Sequence, residues 1–258
     1  MLLALDIGNS TIAAALFDGD KLVAHEASSM SPNSTESEVW ENISQVWSKH
    51  QLPAKNISAV GISSVVPSTA ALILKQCKNE LRLVPFIVNP QLLLGITIRY
   101  ANPEQLGSDR ICTAVAGFQK HGGPLIIIDF GTATTYGVID EKGDFLGGAI
   151  SLGVRSTAEA LHLRTAQLPA VELRIPQKAV NTTTAAAIQS GVMFGALDAL
   201  HGMVERLQSE LGSRAKVIAT GGLSHLMAQH TKIFDAVEPT LVLEGIRIIG
   251  ERIKNKAP

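Results

Sequence analysis

Apolar and polar positions follow the same layout in two separate stretches of the chain. Residues 2–5 and 125–128 are short apolar runs, and each is followed by an acid, a glycine and several hydroxyl side chains. One offset of 123 residues aligns three pairs of positions: Asp6 with Asp129, Gly8 with Gly131, and Thr11 with Thr134. The chain therefore carries one local element twice.

Each copy is predicted to open a three-stranded antiparallel meander. The apolar runs are the first strands, and residues 13–17 and 135–139 return beside them. Asp18-Gly19 and Lys142-Gly143 then supply turns of the kind found in hairpins. The third strands are predicted over residues 21–25 and 145–150.

Helices and strands are predicted to alternate after each meander. The first half contains expected helices over residues 36–50, 67–77 and 109–119, and expected strands over 57–63 and 84–88. In the second half, apolar residues recur at helical spacing from Val192 to Leu211, Gly212 is an expected C-cap, and residues 216–220 form a strand.

This order predicts a duplicated α/β domain with a mixed sheet in each half. Gly122-Gly123-Pro124 marks the expected boundary, which gives domains over residues 1–121 and 122–258. A duplication of this kind is expected to leave a central cleft, where ligands preferentially bind.

Composition narrows the class of protein. Hydrophobic residues make up 46% of the 258 positions, and the net charge of −1 argues against binding to nucleic acid or a membrane surface by bulk electrostatics. Cys77 and Cys112 fit packed thiols in a reducing compartment better than a disulfide or metal site. The first residues lack a signal-peptide pattern, and no run reaches the roughly 18 apolar residues of a membrane span, so a cytoplasmic location is expected.

The repeated turns have the chemistry of a phosphate site. Gly8 and Gly131 permit close backbone approach and positive φ, and the neighbouring hydroxyl and amide side chains add donors. Backbone N–H groups in such turns can hold phosphate oxygens, and a nearby carboxylate can hold a cation that offsets the phosphate charge. One copy alone would be an ordinary hairpin turn, whereas two copies favour a polyphosphate ligand. No P-loop sequence is present.

Two further stretches leave alternatives open. Gly221-Gly222 ends a predicted strand, where it either serves the turn alone or lets a nucleobase and ribose approach the backbone. Asp109 and Arg110 precede an apolar helix, so that Asp109 is either an N-cap or the general base of a phosphoryl transfer. In the second interpretation Arg110 would bind a substrate carboxylate.

Taken together, the motifs resemble those of the type III pantothenate kinases, within the acetate and sugar kinase/Hsp70/actin superfamily. The matching segments extend along nearly the whole chain: DIGNS from Asp6, SSVVP from Ser63, Tyr100 with Asn102-Pro103, GSDR from Gly107, DFGTATT from Asp129, GGAI from Gly147, AIQSG from Ala187, TGG from Thr220, and LEGIR from Leu243.

The resemblance implies duplicated ribonuclease H-like (actin-like ATPase) domains and ATP-dependent phosphorylation of pantothenate, the first step toward coenzyme A. It also implies Mg²⁺, a monovalent cation (K⁺ or NH₄⁺) and a homodimer. Site residues carried over by position are the general base Asp109, the cation ligand Asp129, and two larger sets. These are Tyr100, Gly107, Ser108, Asp109, Arg110 and Thr184 for pantothenate, and Asp6, Ile7, Gly8, Asn9, Ser10, Thr11, Ile12, Ala13 and Thr132 for ATP.

The chain departs from the family pattern at four positions. Ser10 stands for the usual threonine, Ser108 for alanine, and Leu152 for a proline. The family has Asn-Thr before the AIQSG segment. Counting back from that segment selects Thr183-Thr184 as the matching pair rather than Asn181-Thr182. A threonine therefore replaces the family's asparagine at position 183.

Two alternatives to a pantothenate kinase remain open. One is a kinase of the same superfamily that acts on another small hydroxylated substrate. The other is a catalytically weak nucleotide-binding regulator resembling an accessory transcription factor. Retention of Asp109 and Arg110, and the absence of a recognisable DNA-reading motif, argue against the regulator.

Overall fold

The computed structural model describes residues 1–31 and 34–256, and these fall into two compact units. The first unit runs through Met1–Lys120 and resumes at Thr240, and the second is His121–Pro239. Each unit is built around its own mixed sheet.

The sheet of the first unit opens with the predicted meander of β1 (Leu2–Ile7), β2 (Thr11–Asp18) and β3 (Lys21–Ser29). β4 (Ala59–Ser64) pairs parallel to β1 on its other side, and β5 (Phe86–Ile87) pairs parallel to β4. The strand order is β3-β2-β1-β4-β5. A short strand, β6 (Thr97–Ile98), follows later in the chain.

Three helices of the first half have the predicted positions, with slightly different ends: α1 (Glu36–Ser48), α2 (Pro67–Gln76) and α3 (Ser108–His121). α1 starts at a capping box in which Thr35 and Glu38 satisfy each other's backbone N–H groups. The buried side chains of α1 and α2 pack on one face of the sheet through Leu3, Leu5 and Ile7, because alternate strand residues point to the same face.

The second unit repeats this strand order. Its meander is β7 (Leu125–Phe130), β8 (Ala133–Ile139) and β9 (Asp144–Leu152), and it continues with α4 (Val154–Arg164), α5 (Thr184–Leu211), β10 (Lys216–Thr220), α6 (Ser224–Ala228) and β11 (Ala236–Val237). β10 pairs parallel to β7 and β11 to β10, which gives β9-β8-β7-β10-β11 within this unit. Gly212 ends α5 in the left-handed conformation, as predicted.

The C-terminal helix α7 (Leu241–Lys256) departs from the division expected from the sequence, which assigned residues 122–258 to the second half. α7 belongs to the first unit, where it meets the sheet face opposite α1. Two glycines make room for α7. A Cβ at Gly61 would collide with Ile246, and a Cβ at Gly245 would collide with the backbone of Cys112. The two-domain boundary near residue 121 stays a prediction.

The strand register corrects part of the repeat alignment. Asp6 pairs with Ala13 across the first hairpin, whereas Asp129 pairs with Thr135 across the second. The second turn is one residue shorter, because the N–H of Gly131 bonds the carbonyl of Ala133 whereas that of Gly8 bonds Thr11. Thr11 therefore corresponds to Ala133 rather than Thr134.

The cysteines and the helix lengths bear on two further expectations from the sequence. Both cysteines are free and buried, which confirms packed thiols. Among the described residues, no helix is long and apolar enough to cross a membrane.

Candidate active site

In the first unit, the candidate site starts where the parallel strands β1 and β4 end. Asp6 and Ser63 are partners in the register of these strands. The hydroxyl of Ser63 donates a hydrogen bond of 2.9 Å to Oδ1 of Asp6. Ser63 is fully buried, so the Asp6 carboxylate is fixed by a hydroxyl in the protein interior.

Ser108 extends this contact to the start of α3. Its Oγ lies 3.1 Å from Oγ of Ser63 and accepts a 2.8 Å bond from the N–H of Ser64. Because Ser63 gives its hydroxyl proton to Asp6, the single hydroxyl proton of Ser108 serves either Oγ of Ser63 or the carbonyl oxygen of Ser64, which is 3.1 Å away. The side chain of Ser108 is buried and thus holds the helix start to β4, although the resemblance implied a contact with substrate.

Asp109 lies in the first turn of α3, one residue after the helix begins at Ser108; the N-cap interpretation therefore does not describe it. Burial raises the pKa of its carboxyl, and the N–H and charge of Arg110 act in the opposite direction. That N–H donates to Oδ1 of Asp109 at 2.8 Å. A Cβ at Gly107 would collide with the same oxygen, so glycine is needed for the carboxylate to take this position.

The carboxylates of Asp6 and Asp109 both lie near Cys112. Burial is the main reason why the pKa of the Cys112 thiol is well above its usual range, and both carboxylates raise it further. The structure thus brings together Asp6 and Asp109, which are 103 residues apart in sequence, with the thiol held neutral beside them.

Tyr100 and Arg110 form a second pair in this unit. The guanidinium carbon of Arg110 lies 5.8 Å from the centre of the Tyr100 ring, within the range of a cation–π contact. Arg110 is buried. Its planar, permanently charged group is suited to bidentate binding of a carboxylate.

The turn after β1 presents polar groups to solvent. Asn9, Ser10 and Thr11 are exposed, and the N–H of Met30 donates to the carbonyl of Ser10 at 2.8 Å, which anchors the turn on β3. Neither Gly8 nor Gly131 adopts the positive φ that glycine permits. A Cβ at Gly8 would lie 3.3 Å from the carbonyl oxygen of Thr11, a tight contact that glycine avoids.

The corresponding turn in the second unit is held by backbone contacts. The carbonyl of Thr132 accepts bonds from the N–H of Gly153 at 3.0 Å and from the hydroxyl of Ser156 at 2.8 Å. A Cβ at Gly153 would collide with the carbonyl oxygens of Gly131 and Thr132. α4 therefore starts directly against this turn, and Thr132 itself is exposed.

Asp129 is the counterpart of Asp6 and lies in the centre of the second sheet. Its register partners are Thr135 on β8 and Thr220 on β10. Gly221 has φ of +85°, and a Cβ on it would collide with Oδ1 of Asp129. The Gly221 backbone therefore lies against the carboxylate, so this glycine serves a close approach to Asp129 as well as the turn.

Thr183 and Thr184 have different local roles. Thr183 is the N-cap of α5, and its hydroxyl accepts a 3.3 Å bond from the N–H of Ala186. Asparagine and threonine are both good N-caps, so the departure from the family pattern at 183 keeps the cap. Thr184 is exposed at the first position of the helix.

The carboxylates of the candidate site can bind a cation only together with oxygen ligands from elsewhere. Within the described residues, no three His, Cys, Asp or Glu side chains are grouped as a metal site. Mg²⁺ commonly uses one or two carboxylates together with substrate phosphates and water, which single carboxylates such as Asp6 and Asp129 can provide.

Ser63 and Thr220 lie within the family motifs, but the sequence alone assigned neither a role. Both are register partners of the repeated aspartates, on the first strand after each meander. The duplication itself could have identified them, since each is the last residue of a predicted strand, and that strand pairs in parallel with the one carrying the aspartate.

Comparison with known proteins identifies relatives over nearly the whole chain. Residues 2–206 match the family model described as type III pantothenate kinase. The chain is 39% identical to the type III pantothenate kinase of Moorella thermoacetica over 98% of its length and 99% of the relative. It is 38% identical to that of Bacillus cytotoxicus, over 98% and 96%.

Solved structures share the fold at lower identity. A Baf family transcriptional activator from Campylobacter jejuni has a TM-score of 0.61 at 20% identity, over 98% of this chain and 99% of that one. Component A of the (R)-2-hydroxyglutaryl-CoA dehydratase from Acidaminococcus fermentans has a TM-score of 0.56 at 12% identity, over 98% of both chains. These neighbours support the expected actin-like α/β fold with two mixed sheets.

Proposed function

This chain belongs to the type III pantothenate kinases, and we propose that it transfers the γ-phosphoryl group of ATP to the primary hydroxyl of pantothenate. The product is 4'-phosphopantothenate, and the reaction is the first step of coenzyme A synthesis. The observation that carries the assignment of the site is the partly buried Asp109 carboxyl, which lies next to Arg110 and, like that of Asp6, near Cys112.

Asp109 is the proposed general base. Its raised pKa makes the carboxylate a better proton acceptor than an exposed aspartate, and a base gains efficiency as its pKa approaches the working pH. It would accept the hydroxyl proton as the oxygen attacks phosphorus. Gly107 contributes by leaving space for the carboxylate.

Arg110 and Tyr100 are proposed to bind the other end of pantothenate. The substrate carries a carboxylate, and the guanidinium of Arg110 can bind it bidentately while its face rests on the Tyr100 ring. Thr184, exposed at the start of α5, is proposed to donate a further hydrogen bond. Ser108 acts through the position of α3, since its hydroxyl is engaged by Ser63 and Ser64.

ATP is proposed to bind through residues 6–13 and Thr132. The exposed amide and hydroxyl groups of Asn9, Ser10 and Thr11 suit phosphate oxygens. Mg²⁺, when bound with ATP, would neutralise phosphate charge, and Asp6 is the carboxylate proposed to hold it directly or through water. Asp129 is the proposed ligand of a monovalent cation, K⁺ or NH₄⁺.

A homodimer is the proposed assembly, and its cytoplasmic location stays a prediction. Ile150 and Leu152 are two residues apart on β9 and remain exposed, by 62% and 58%. Apolar side chains on one face of a strand favour association with another surface. Light scattering after size exclusion measures the mass directly, and a monomer at micromolar concentration would contradict the proposal.

An ADP-release assay with and without pantothenate tests the reaction. We expect release to depend on pantothenate and to be faster in KCl than in NaCl at equal ionic strength. Mass spectrometry of the product should show one added phosphoryl group. Equal ADP release without pantothenate would contradict the proposed substrate, and equal rates in both salts would contradict the cation.

A further inference from the structure

Tyr100 lies in a long connection between β5 and α3. Residues 95–105, which we call the Tyr100 segment, include the short strand β6 and a 3₁₀ turn at Pro103–Gln105. Leu94 and Leu106, which flank the segment, are buried, whereas the residues between them are exposed or half-buried. Five residues separate Tyr100 from each of these two leucines. The position of the Tyr100 ring therefore depends on how the two leucines are held.

The end of the segment at Leu106 is held by the start of α3. Ser108 follows two residues later, and its Oγ lies 3.1 Å from Oγ of Ser63 and accepts a 2.8 Å bond from the N–H of Ser64. β4, which carries both of these serines, lies inside the first sheet between β1 and β5. This end of the Tyr100 segment is therefore joined to the central strands of the sheet.

The end of the segment at Leu94 is held by Arg252, on the C-terminal helix α7. Nη1 of the guanidinium donates to the carbonyl of Leu94, and Nη2 donates to Oε1 of Gln119 on α3 at 2.9 Å. The same group lies against the backbone of Gly95, where a Cβ would collide with its Cζ and both Nη atoms. Gly95 has φ of +69°, a conformation that glycine adopts without steric cost. Arg252 thus ties this end of the segment to two helices.

The partners of Arg252 explain why an arginine stands at this position. Both acceptors are neutral, one a main-chain carbonyl and the other a side-chain amide, so that charge alone does not account for the contact. Burial lowers the pKa of Arg252, and the two hydrogen bonds offset part of the cost of taking its charge out of water. A planar guanidinium donates in two fixed directions at once, whereas an ammonium on a flexible stem does not. The arginine therefore has the shape of an anchor for the backbone.

A displacement at Leu94 would reach Tyr100, because the two ends of the segment are also linked to each other. Nε2 of Gln91 donates to Oε1 of Glu104, so that a residue before the segment is bonded to one near its far end. Between these ends the ring of Tyr100 meets Arg110, whose Cζ lies 5.8 Å from the ring centre. A cation–π contact requires the cation to stay within about 6 Å of that centre, so a small shift of the segment is enough to weaken it.

We propose that Arg252 is a positioning residue for pantothenate, which holds the Tyr100 segment so that the ring stays against Arg110. This inference rests on the proposed function in taking Tyr100 and Arg110 as pantothenate ligands. It adds a residue from α7, beyond the residues 2–206 that match the family model. Loss of Arg252 should therefore weaken pantothenate binding, while ATP binding by residues 6–13 is kept.

Steady-state kinetics, with each substrate varied separately, test this role. Arg252→Met keeps a long apolar side chain but removes the donors, and it should raise KM for pantothenate about three- to tenfold while KM for ATP stays at the wild-type value. Arg252→Lys keeps a donor for the Leu94 carbonyl and should have an intermediate KM for pantothenate. Arg247→Met is the matched control, because Arg247 is also half-buried on α7 but pairs with Glu251 of the same helix. Its KM for pantothenate should equal that of the wild type.

Limited proteolysis with trypsin measures the order of the segment without turnover. Arg99 precedes Tyr100 and is exposed, so the rate of cleavage after Arg99 reports how often the segment opens. Cleavage there should be about three- to tenfold faster in Arg252→Met than in the wild type, as expected for the loss of one hydrogen-bonded anchor. Arg247→Met should be cleaved at the wild-type rate. Arg214, exposed before β10 in the second unit, is the internal reference, and cleavage after it should be equal in all three proteins.

The outcomes separate this inference from the proposed function. Equal cleavage after Arg99 in the wild type and in Arg252→Met would overturn the anchoring of the segment by Arg252. Faster cleavage with an unchanged KM for pantothenate, or an equal rise of KM for both substrates, would overturn its role in positioning the substrate site. A wild-type protein that does not phosphorylate pantothenate would refute the proposed function and the substrate named here, and the cleavage rates would still decide whether Arg252 anchors the segment.

Discussion

Ser63 and Asp6 are joined by a hydrogen bond of 2.9 Å between adjacent parallel strands, 57 residues apart in the chain. The bond fixes one oxygen of the carboxylate that we assign to the ATP site. The orientation of Asp6 therefore depends on β4, which carries no proposed ligand of its own.

Ser63→Ala should lower kcat/KM for ATP by about tenfold or more, because a carboxylate free to rotate holds its ligands less accurately. The unfolding free energy should also fall by about 1–3 kcal/mol, since a buried bond partner is lost. Steady-state kinetics and chemical denaturation measure the two effects. Ser58→Ala is the control, because the exposed hydroxyl of Ser58 bonds, among the described residues, only the carbonyl and N-terminus of Met1. Unchanged kinetics in both variants would contradict the role of Ser63.

Asp109→Asn should lower kcat by roughly 10²-fold, as expected for the loss of a general base, while ATP binding measured by calorimetry is kept. The amide retains an oxygen for the N–H of Arg110, so the helix start should persist. A variant that phosphorylates pantothenate at the wild-type rate would leave Asp109 without a catalytic role.

The same substitution should stabilise the protein at neutral pH. Burial raises the pKa of Asp109 in the folded state, so the folded chain binds more protons than the unfolded chain, and stability falls as pH rises through the raised pKa. Asp109→Asn removes this loss. Its melting temperature should exceed that of the wild type at neutral pH, and the two should converge as the pH falls to the ordinary range of aspartate.

Gly107→Ala should reduce kcat strongly, by about 10²-fold, because the added Cβ would displace the Asp109 carboxylate. Gly202→Ala is a matched control within α5, where a Cβ meets no atom within 4 Å. That change should leave kcat unaltered and stabilise the protein by about 0.5–1 kcal/mol, since glycine is unfavourable inside a helix. Equal activity in both variants would show that the close approach at Gly107 does not matter for catalysis.

The neighbouring threonines at the start of α5 should separate into a structural and a binding residue. Thr183→Ala should cost about 1 kcal/mol, seen as a fall in melting temperature of about 2–4 °C, whereas Thr183→Asn should be neutral because the cap is kept. Thr184→Ala should raise KM for pantothenate with little change in melting temperature. If the effects were exchanged, the register that we used for the family motif would be off by one residue.

Local patterns predicted the meanders well, because turn residues such as Asp18-Gly19 mark their ends and apolar residues form the strands between them. They did not predict α7. Its apolar positions are interrupted by Gly245 and Gly250, which are unfavourable in a helix alone but let α7 approach Cys112 and Phe86. Tertiary packing thus decides the structure there.

The candidate site was predicted residue by residue from the family motifs, and those roles remain proposals. The motifs could not show the bonds of Ser63, because strand register across 57 residues leaves no local trace in the sequence. The one-residue difference between the two turns likewise became visible only in the hydrogen bonds of Gly8 and Gly131.

The return of α7 to the first unit has a consequence for synthesis on the ribosome. The second unit is continuous from His121 to Pro239, so that all of its residues are translated before Leu241. The first sheet, although made earlier, keeps one apolar face uncovered until α7 has left the exit tunnel. The nascent chain therefore leaves the face of the first sheet that α7 covers without this helix for the time needed to translate the whole second unit, and its first-made strands are among the last to be fully packed.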